Sequence, residues 1–197
     1  TSYAAIPPVP GLDLFTPPQG LLVPVRDPVG KVVAIKVRSF EERESKYVYL
    51  SDKKNPSGAH LHFPVGFSLA QGGMRVTEGE LKADYCQYAG HGPTVSIPGV
   101  TTHGMFTLLA DELDRSMELL ISWDWKDLCS SPEMRALWEK FYRSLDGMGF
   151  RVGLEHWDPA YKGVDDAIRA GCTPQVEWDD PLKFLNRDPV TYVEMGG

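Results

Sequence analysis

MRVTEGELKAD, residues 74–84, joins a short strand-like run to the beginning of a helix. Glu78 ends the run, and Gly79 follows at the point where the chain has to turn. Glycine adopts the backbone conformations that a tight strand-to-helix turn requires, and open α/β sheets bind ligands at the carboxyl ends of their strands. The stretch therefore predicts an α/β fold with Glu78 at the ligand-binding edge of a sheet. The alternative is that Glu78 and Glu80 only place negative charge at the N-terminus of a helix.

Predicted strands and helices alternate along the chain after residue 74. The helix at 132–148 is the clearest, because apolar side chains recur in it at helical spacing and Ser131 can cap it. Such alternation is typical of a mostly parallel sheet, here of four strands, with helices on its faces. The predicted strands are 74–78, 94–98, 117–124 and one that starts at 150, and the predicted helices are 79–90, 101–113, 132–148 and 164–170.

The preceding segment has the pattern of an antiparallel sheet. The runs LLVPVRD, KVVAIKVRSF and KYVYLSD alternate polar with apolar residues and are separated by turn-forming residues. We therefore predict a small N-terminal antiparallel β-subdomain of three strands. The complete predicted division is 1–19 as an extended proline-rich arm, 20–73 as the β-subdomain, 74–172 as the α/β domain and 173–197 as a C-terminal tail or linker.

The composition restricts the class of protein. Of 197 residues, 42% are apolar, which suffices for one domain with a sizeable core, alone or with a small appendage. The net charge of −7 argues against a protein that coats nucleic acid non-specifically, although residues 21–60 carry a local charge of +3. No apolar run is long enough to span a membrane, so we expect a cytoplasmic protein without membrane association. Three widely spaced cysteines predict neither a disulfide framework nor a zinc knuckle.

Acidic side chains follow two of the predicted strands. Glu78 ends the first strand, Asp124 ends the third, and Asp127 lies three residues further on. If the first and third strands are neighbours in the sheet, their carboxylates converge on one cleft. Carboxylate and phosphate oxygens are the usual ligands of Mg²⁺, so the pattern predicts a Mg²⁺ (or Mn²⁺) site for phosphate chemistry. The turn KGVDD after the last strand adds further cleft residues, namely Lys162, Asp165 and Asp166.

Two pairs of ring-bearing residues allow both a structural and a functional interpretation. His60 and His62 lie on the same side of an extended segment and could chelate a metal ion, but the sequence offers no third ligand near them. Trp123 and Trp125 flank Asp124 and point to the same face if the strand continues. We expect both tryptophans to pack in the core, with a base-stacking platform beside the cleft as the alternative.

Four motifs in a fixed order carry a family resemblance. EGELKAD from Glu78, SIPGV from Ser96, ISWD from Ile121 and KGVDDAIRAG from Lys162 resemble the Toprim fold of bacterial-type DNA primases, topoisomerases and some nucleases. The resemblance is closest to a Toprim-like family found in replication and primase-helicase proteins of plasmids, phages and integrated mobile elements. The β-rich segment before Met74 is similar to the one that precedes Toprim in primases, so the resemblance covers 20–171.

The resemblance implies roles for individual residues. Glu78 matches the glutamate thought to act as acid or base, and Asp124 matches the first aspartate of a metal-binding Asp-x-Asp pair. The second aspartate position holds Lys126, and Asp127 is displaced from it by one residue. Lys82 stands where primases have a further aspartate. A lysine near the metal can replace part of the cation's charge without its chemistry. Because the carboxylates would repel a polyanion, the lysines expected near them, Lys82, Lys126 and Lys162, are the candidate phosphate-binding residues.

The resemblance leaves three functions open. The first is Mg²⁺-dependent (or Mn²⁺-dependent) nucleotidyl transfer of the primase type, with DNA, a primer-template or nucleotides as ligands and a fused or separate helicase as a candidate partner. The second is a catalytically degenerate Toprim module that binds nucleic acid or a replication partner. The third is a phosphodiester hydrolase that acts as a nuclease. All three use the cleft between Glu78 and Asp124.

Overall fold

The computed structural model describes residues 19–42, 45–51, 58–69 and 72–186. The strands in these ranges form two sheets. The strands are β1 Gly20–Arg26, β2 Val32–Ser39, β3 Tyr47–Tyr49, β4 Gly73–Glu78, β5 Thr94–Ile97, β6 Glu118–Ser122, β7 Arg151–His156 and β8 Gln175–Glu177. The helices are α1 Glu80–Tyr88, α2 Gly104–Ala110, α3 Trp125–Ser130, α4 Pro132–Gly147, α5 Val164–Arg169 and α6 Pro181–Leu185, with a 3₁₀ turn at Val100–Thr102.

The larger sheet has the strand order β5-β4-β6-β7-β8. Its first four strands are parallel, and β8 pairs with β7 in the antiparallel direction. The first and third predicted strands, β4 and β6, are adjacent, with Val76 opposite Ile121. The prediction of a mostly parallel, helix-flanked sheet is therefore confirmed. Its fifth strand, β8, was not predicted, because three residues are too few to show an alternating pattern.

The helices follow the local signals in the sequence. Ser131 caps α4 by accepting a hydrogen bond from the backbone N–H of Met134 at 3.2 Å, and Pro132 occupies the first turn. Helix α3 is a difference from the prediction, because the strand predicted to reach Asp124 ends at Ser122 and a helix starts at Trp125. None of the helices within the described ranges is both long and apolar enough to cross a membrane.

Both tryptophans next to Asp124 are core residues. Trp123 is fully buried and stacks on Phe141 of α4, with ring centroids 5.8 Å apart and an angle of 10° between the rings. Trp125 is 3% exposed and lies 5.5 Å from the ring of His156. The two side chains are not available to a nucleic acid base. The expected core role is confirmed, and the base-stacking alternative is wrong.

Helix α1 joins the smaller sheet to the larger one through a buried ion pair. In the smaller sheet, β2 lies between β1 and β3 and pairs with both in the antiparallel direction, as predicted. Lys36 alternates with apolar residues in β2, yet it is 4% exposed. Its ammonium lies 2.5 Å from Glu80 Oε1, at the first residue of α1, and 5.0 Å from the ring centre of Tyr49. The pair attaches the β-subdomain to the beginning of α1.

His62 forms a second attachment at the same helix. Its backbone pairs with Ser96 at the edge of β5. Its Nδ1 accepts a hydrogen bond from the backbone N–H of Arg26 at 3.2 Å, and its Nε2 lies 3.0 Å from Asp84 Oδ1 in α1. The ring is fully buried, and both of its nitrogens have protein partners. His62 is therefore a structural residue, and the described residues place neither His60 nor His62 in a cluster of potential metal ligands.

A buried ion pair crosses the larger sheet. Arg75 of β4 donates two hydrogen bonds of 2.7 Å to the carboxylate of Glu155 in β7, and β6 lies between these strands. Arg75 also donates to the backbone carbonyl of His91 at 2.6 Å. Both side chains are at most 5% exposed. Hydrogen bonding to Glu155 raises the pKa of Arg75 even though its burial acts in the opposite direction.

We expect Glu155→Ala to destabilise the protein by about 3–5 kcal/mol, because it leaves the Arg75 guanidinium buried without its partner. The double variant Arg75→Met/Glu155→Leu should recover most of this loss, since no buried charge remains. Urea denaturation measures the free energy of unfolding of both variants. The control is Glu118→Gln, which removes a solvent-exposed ion pair with Arg151 between β6 and β7 and should cost at most about 1 kcal/mol. Equal losses for Glu155→Ala and Glu118→Gln would contradict the structural importance of the buried pair.

Candidate metal and phosphate site

A glycine turn at the end of β4 positions the first acidic residue. Gly79 has a φ of 85°, a left-handed conformation that favours glycine, and α1 begins at the next residue. Glu78 is the last residue of β4 and lies beside Ile97 of β5. The chain therefore turns at once from strand to helix, as predicted, and Glu78 lies at the carboxyl edge of the sheet.

The beginning of α3 positions the other two acidic residues. Asp124 occupies the N-cap position of this helix without a side-chain capping hydrogen bond and is 4% exposed, and Asp127 lies in the first turn. Carboxylate oxygens of Glu78, Asp124 and Asp127 all lie within 4.8 Å of one another. Residues three apart at the start of a helix lie on the same side, so the early end of β6 brings Asp127 toward Asp124. This helical spacing explains how Asp127 joins the cluster although it is displaced from the Asp-x-Asp position.

Two lysines contact the three carboxylates. The ammonium of Lys82 contacts Asp124 Oδ1 and lies 3.7 Å from Glu78 Oε1. The ammonium of Lys162 lies 3.5 Å from Asp124 Oδ2 and 3.2 Å from Asp127 Oδ2. The side chain of Lys82 is 21% exposed, whereas that of Lys162 is 59% exposed. The carboxylates are therefore contacted by one partly buried and one exposed lysine ammonium group.

The local electric field changes the acidity of these groups. Burial raises the pKa of Glu78, and the neighbouring carboxylates add to this effect while Lys82 opposes it. Burial alone would lower the pKa of Lys82, but Glu78 and Asp124 outweigh it and raise the pKa overall. Hydrogen bonding to Asp127 is the main cause that raises the pKa of Lys162. Both lysines are therefore held in their charged form, while ionisation of Glu78 is costly.

The remaining predicted cleft residues are more dispersed. Lys126 is exposed, and its ammonium forms no ion pair with any residue in the described part of the chain. Asp166 lies at the surface and pairs with Arg169 at 3.1 Å. Asp165 is close to the cluster, because the position of a Cβ on Gly163 would be 2.3 Å from Asp165 Oδ1, 3.1 Å from Lys82 Cε and 3.5 Å from Asp124 Oδ1. The structure thus brings Asp165 to the cluster, whereas neither Lys126 nor Asp166 forms an ion pair with the cluster among the described residues.

Helix α1 is attached to the β-subdomain by residues that the sequence motifs do not identify. Glu78 and Lys82 are four residues apart and contact the cluster, whereas Glu80 and Asp84 are four residues apart and contact the β-subdomain. The sequence feature that indicates these contacts is the dense charge in EGELKAD, which contains two interleaved pairs of charged residues four positions apart. The partners of Glu80 and Asp84, Lys36 and His62, have no comparable signal in the sequence.

Comparisons with known proteins identify the fold. No protein-family model and no curated protein sequence matches the chain. The Aquifex aeolicus primase, as its zinc-binding and RNA polymerase domains, matches with a TM-score of 0.57 at 18% identity, over 91% of this chain and 44% of the other. A DnaG primase catalytic domain bound to single-stranded DNA matches with a TM-score of 0.57 at 16% identity, over 82% and 55% of the two chains. The primase fragment of the bacteriophage T7 primase-helicase protein matches with a TM-score of 0.50 at 19% identity, over 84% and 61%.

These similarities establish the architecture of the chain. It spans about half the length of the primase structures that it matches. The first of these matches covers 91% of this chain. The resemblance seen in the sequence motifs is therefore confirmed at the level of the fold. The chain has the Toprim-type fold of the bacterial DNA primase catalytic core.

Proposed function

We propose that this chain is the Toprim region of a primase-type replication protein and carries out nucleotidyl transfer on nucleic acid with Mg²⁺ or Mn²⁺. The observation that carries the proposal is the convergence of Glu78, Asp124 and Asp127, whose carboxylate oxygens lie within 4.8 Å of one another. They lie at the carboxyl edge of a parallel sheet, where open α/β folds bind their ligands. The primase-like fold supports the same assignment.

The donor set fits a hard divalent cation. Three carboxylates supply only oxygen ligands, which suit Mg²⁺ and Mn²⁺ rather than a thiolate-binding metal. Mg²⁺ is usually bound through a few carboxylates together with substrate phosphates. Glu78, Asp124 and Asp127 would hold the ion. When bound, such an ion neutralises charge on phosphate oxygens and orients them for displacement.

The chain's own residues supply two further functions. Glu78 is the candidate acid or base, the role that the resemblance to Toprim proteins implies for it, and in the absence of metal, burial raises the pKa of its carboxyl group. Lys162 is a suitable phosphate ligand, because its exposed ammonium lies at the rim of the cluster. Lys82 is too confined to reach a ligand outside the cluster and instead fixes the carboxylates of Glu78 and Asp124.

The ligand that we propose is a single-stranded template together with nucleotides. One matching DnaG catalytic domain was solved with bound single-stranded DNA, and a matching T7 primase domain was solved with an RNA/DNA hybrid and dTTP. The T7 match to a primase-helicase protein makes a fused or separate helicase our proposed partner. The acidic cluster needs a cation to accept a polyanion, since three carboxylates would otherwise repel it.

A second candidate function is nucleic-acid binding without turnover. Two observations favour it: Lys82 and Lys162 contact the oxygens that a metal would use, and Lys126 stands in place of the usual second aspartate. A lysine supplies a single fixed charge and cannot coordinate oxygens as a metal does. In that case the cluster would retain affinity for phosphate and lose chemistry.

We expect the protein to extend a primer on single-stranded DNA when nucleotides and Mg²⁺ or Mn²⁺ are supplied. Asp124→Asn should lower the rate by about 10²-fold or more, since it removes a central metal ligand. Labelled products separated on a gel give the rate. Asp146→Asn, an exposed change at the end of α4, is the matched control and should leave the rate unchanged.

The same preparations separate the candidate functions when DNA binding is measured by fluorescence anisotropy across a salt series. Binding without product supports the degenerate module, and shortened DNA supports a hydrolase. Whether or not the bound DNA is turned over, Lys162→Ala should make the negative slope of log K against log salt shallower by about 1, because one phosphate contact is lost. Lys140→Ala, on the exposed side of α4, is the control. Absence of binding at low salt with and without metal would refute both nucleic-acid proposals.

We expect Mn²⁺ to stabilise the chain against thermal unfolding, increasingly as its concentration rises above Kd. Ligand binding at about 100 times Kd contributes about 2.7 kcal/mol to the free energy of unfolding. Asp124→Asn should abolish the stabilisation, and Asp146→Asn should preserve it. Differential scanning fluorimetry over a Mn²⁺ series measures the shift. Equal stabilisation of both variants would place the binding site elsewhere in the protein.

In the absence of metal, Glu78→Gln should become progressively more stable relative to the wild type as the pH rises. The pKa of Glu78 is raised from its ordinary value of 4.5 in the folded protein, mainly by burial. The folded state therefore binds this proton more tightly than the unfolded state, and the wild type loses stability as the pH rises above 4.5 through the raised pKa. Urea denaturation between about pH 4.5 and 8 tests this linkage. The opposite trend would show that the lysines, rather than burial, determine the acidity of Glu78.

A further inference from the structure

Asp165 has a buried oxygen that the proposed chemistry does not use. It lies in the first turn of α5, and its Oδ1 is buried without a hydrogen-bond partner in the described residues. Burial raises the pKa of this carboxyl group, and Lys82 opposes the effect. A buried acceptor that lacks a partner is costly to the folded state. Such an oxygen at a ligand site suggests a partner that arrives in another state of the site.

The nearest candidate for that partner is Lys82. Gly163 separates Asp165 from the cluster, and the position of its missing Cβ is 2.3 Å from Asp165 Oδ1 and 3.1 Å from Lys82 Cε. Asp124 Oδ1, which Lys82 now contacts, is 3.5 Å from the same point. The glycine thus leaves a space around which Asp165, Lys82 and Asp124 meet, and Lys82 has two alternative carboxylates within this space.

A divalent cation at the cluster would compete with both lysines. Lys82 and Lys162 contact oxygens of the three carboxylates that would bind the cation, and like charges at such distances repel each other strongly where water is scarce. Lys162 is 59% exposed and can turn to solvent or to a phosphate. Lys82 is 21% exposed and needs another acceptor within the protein.

We propose that Asp165 is a positioning residue of the cation site and receives the Lys82 ammonium from Asp124 when a divalent cation binds. The exchange frees Asp124 to coordinate the ion and gives Asp165 Oδ1 the partner that it lacks. It also keeps the lysine charge beside the cluster. The inference rests on the proposed function only in requiring that a divalent cation binds Glu78, Asp124 and Asp127.

The test is a double-mutant cycle on Mn²⁺ affinity, with Mn²⁺ alone as the probe and the free ion measured by electron paramagnetic resonance. Asp165→Asn should weaken Mn²⁺ binding about tenfold or more, the usual effect of losing a residue that supports a metal ligand. Asp166→Asn removes the same charge one residue further on, where the side chain pairs with Arg169 at the surface, and should have an effect below about threefold. Lys82→Met should strengthen binding. In the Lys82→Met background, Asp165→Asn should change the affinity less than about twofold, because no lysine remains to be received.

A second variant displaces Asp165 without removing its charge. The methyl group of Gly163→Ala would lie 2.3 Å from Asp165 Oδ1, so this carboxylate must move, while the φ of −104° suits alanine. Gly163→Ala should weaken Mn²⁺ binding when the wild-type Lys82 is present and have little effect in the Lys82→Met variant. Similar losses in both backgrounds, or no loss in either, would overturn the exchange. Failure of the wild type to bind Mn²⁺ would instead refute the proposed metal-dependent function.

Discussion

The left-handed conformation of Gly79 is the constraint on which the site depends. A φ of 85° lets the chain pass from β4 into α1 without an intervening loop. Because the helix begins at once, its first two turns present two sets of charged side chains. Glu78 and Lys82 contact the acidic cluster, and Glu80 and Asp84 contact the β-subdomain. One turn therefore determines the position of the site and the attachment of the smaller sheet.

The structure separates charge that stabilises from charge that is available to a ligand. Arg75 and Glu155 satisfy each other in a two-bond contact that is closed to solvent. At the cluster, three carboxylates share two lysines, so negative charge remains in excess at a partly buried edge. Burial, together with the two neighbouring carboxylates, raises the pKa of Glu78, so that keeping this group ionised costs stability. Proteins retain such an arrangement where a cation or a substrate compensates for it.

Local sequence patterns predicted most of the strands and helices. The acidic residues that follow two of the predicted strands predicted the cluster. The turn at Gly79, the capped helix after Ser131 and the apolar run that becomes β6 each depend on interactions within a few residues, which a sequence displays directly. The convergence of the acidic residues also requires that β4 and β6 are adjacent, as they are in the sheet. By the family resemblance Asp127 is displaced by one residue from the expected aspartate position. The start of α3 nevertheless brings its carboxylate within 4.8 Å of those of Glu78 and Asp124, because residues 124 and 127 lie on the same side of a helix.

By itself the sequence determined the fold class, the strand-to-helix turn and the acidic residues at the strand ends, because these follow from backbone conformation and from the polarity of neighbouring residues. Only the tertiary structure decided which lysines face the carboxylates. The family resemblance places Lys126 at the position of a metal-binding aspartate, yet Lys82 and Lys162 contact the cluster. The tertiary structure also decided that Lys36 is buried against Glu80, 44 residues away along the chain. Such contacts depend on how distant elements pack, and no periodicity in the sequence records them.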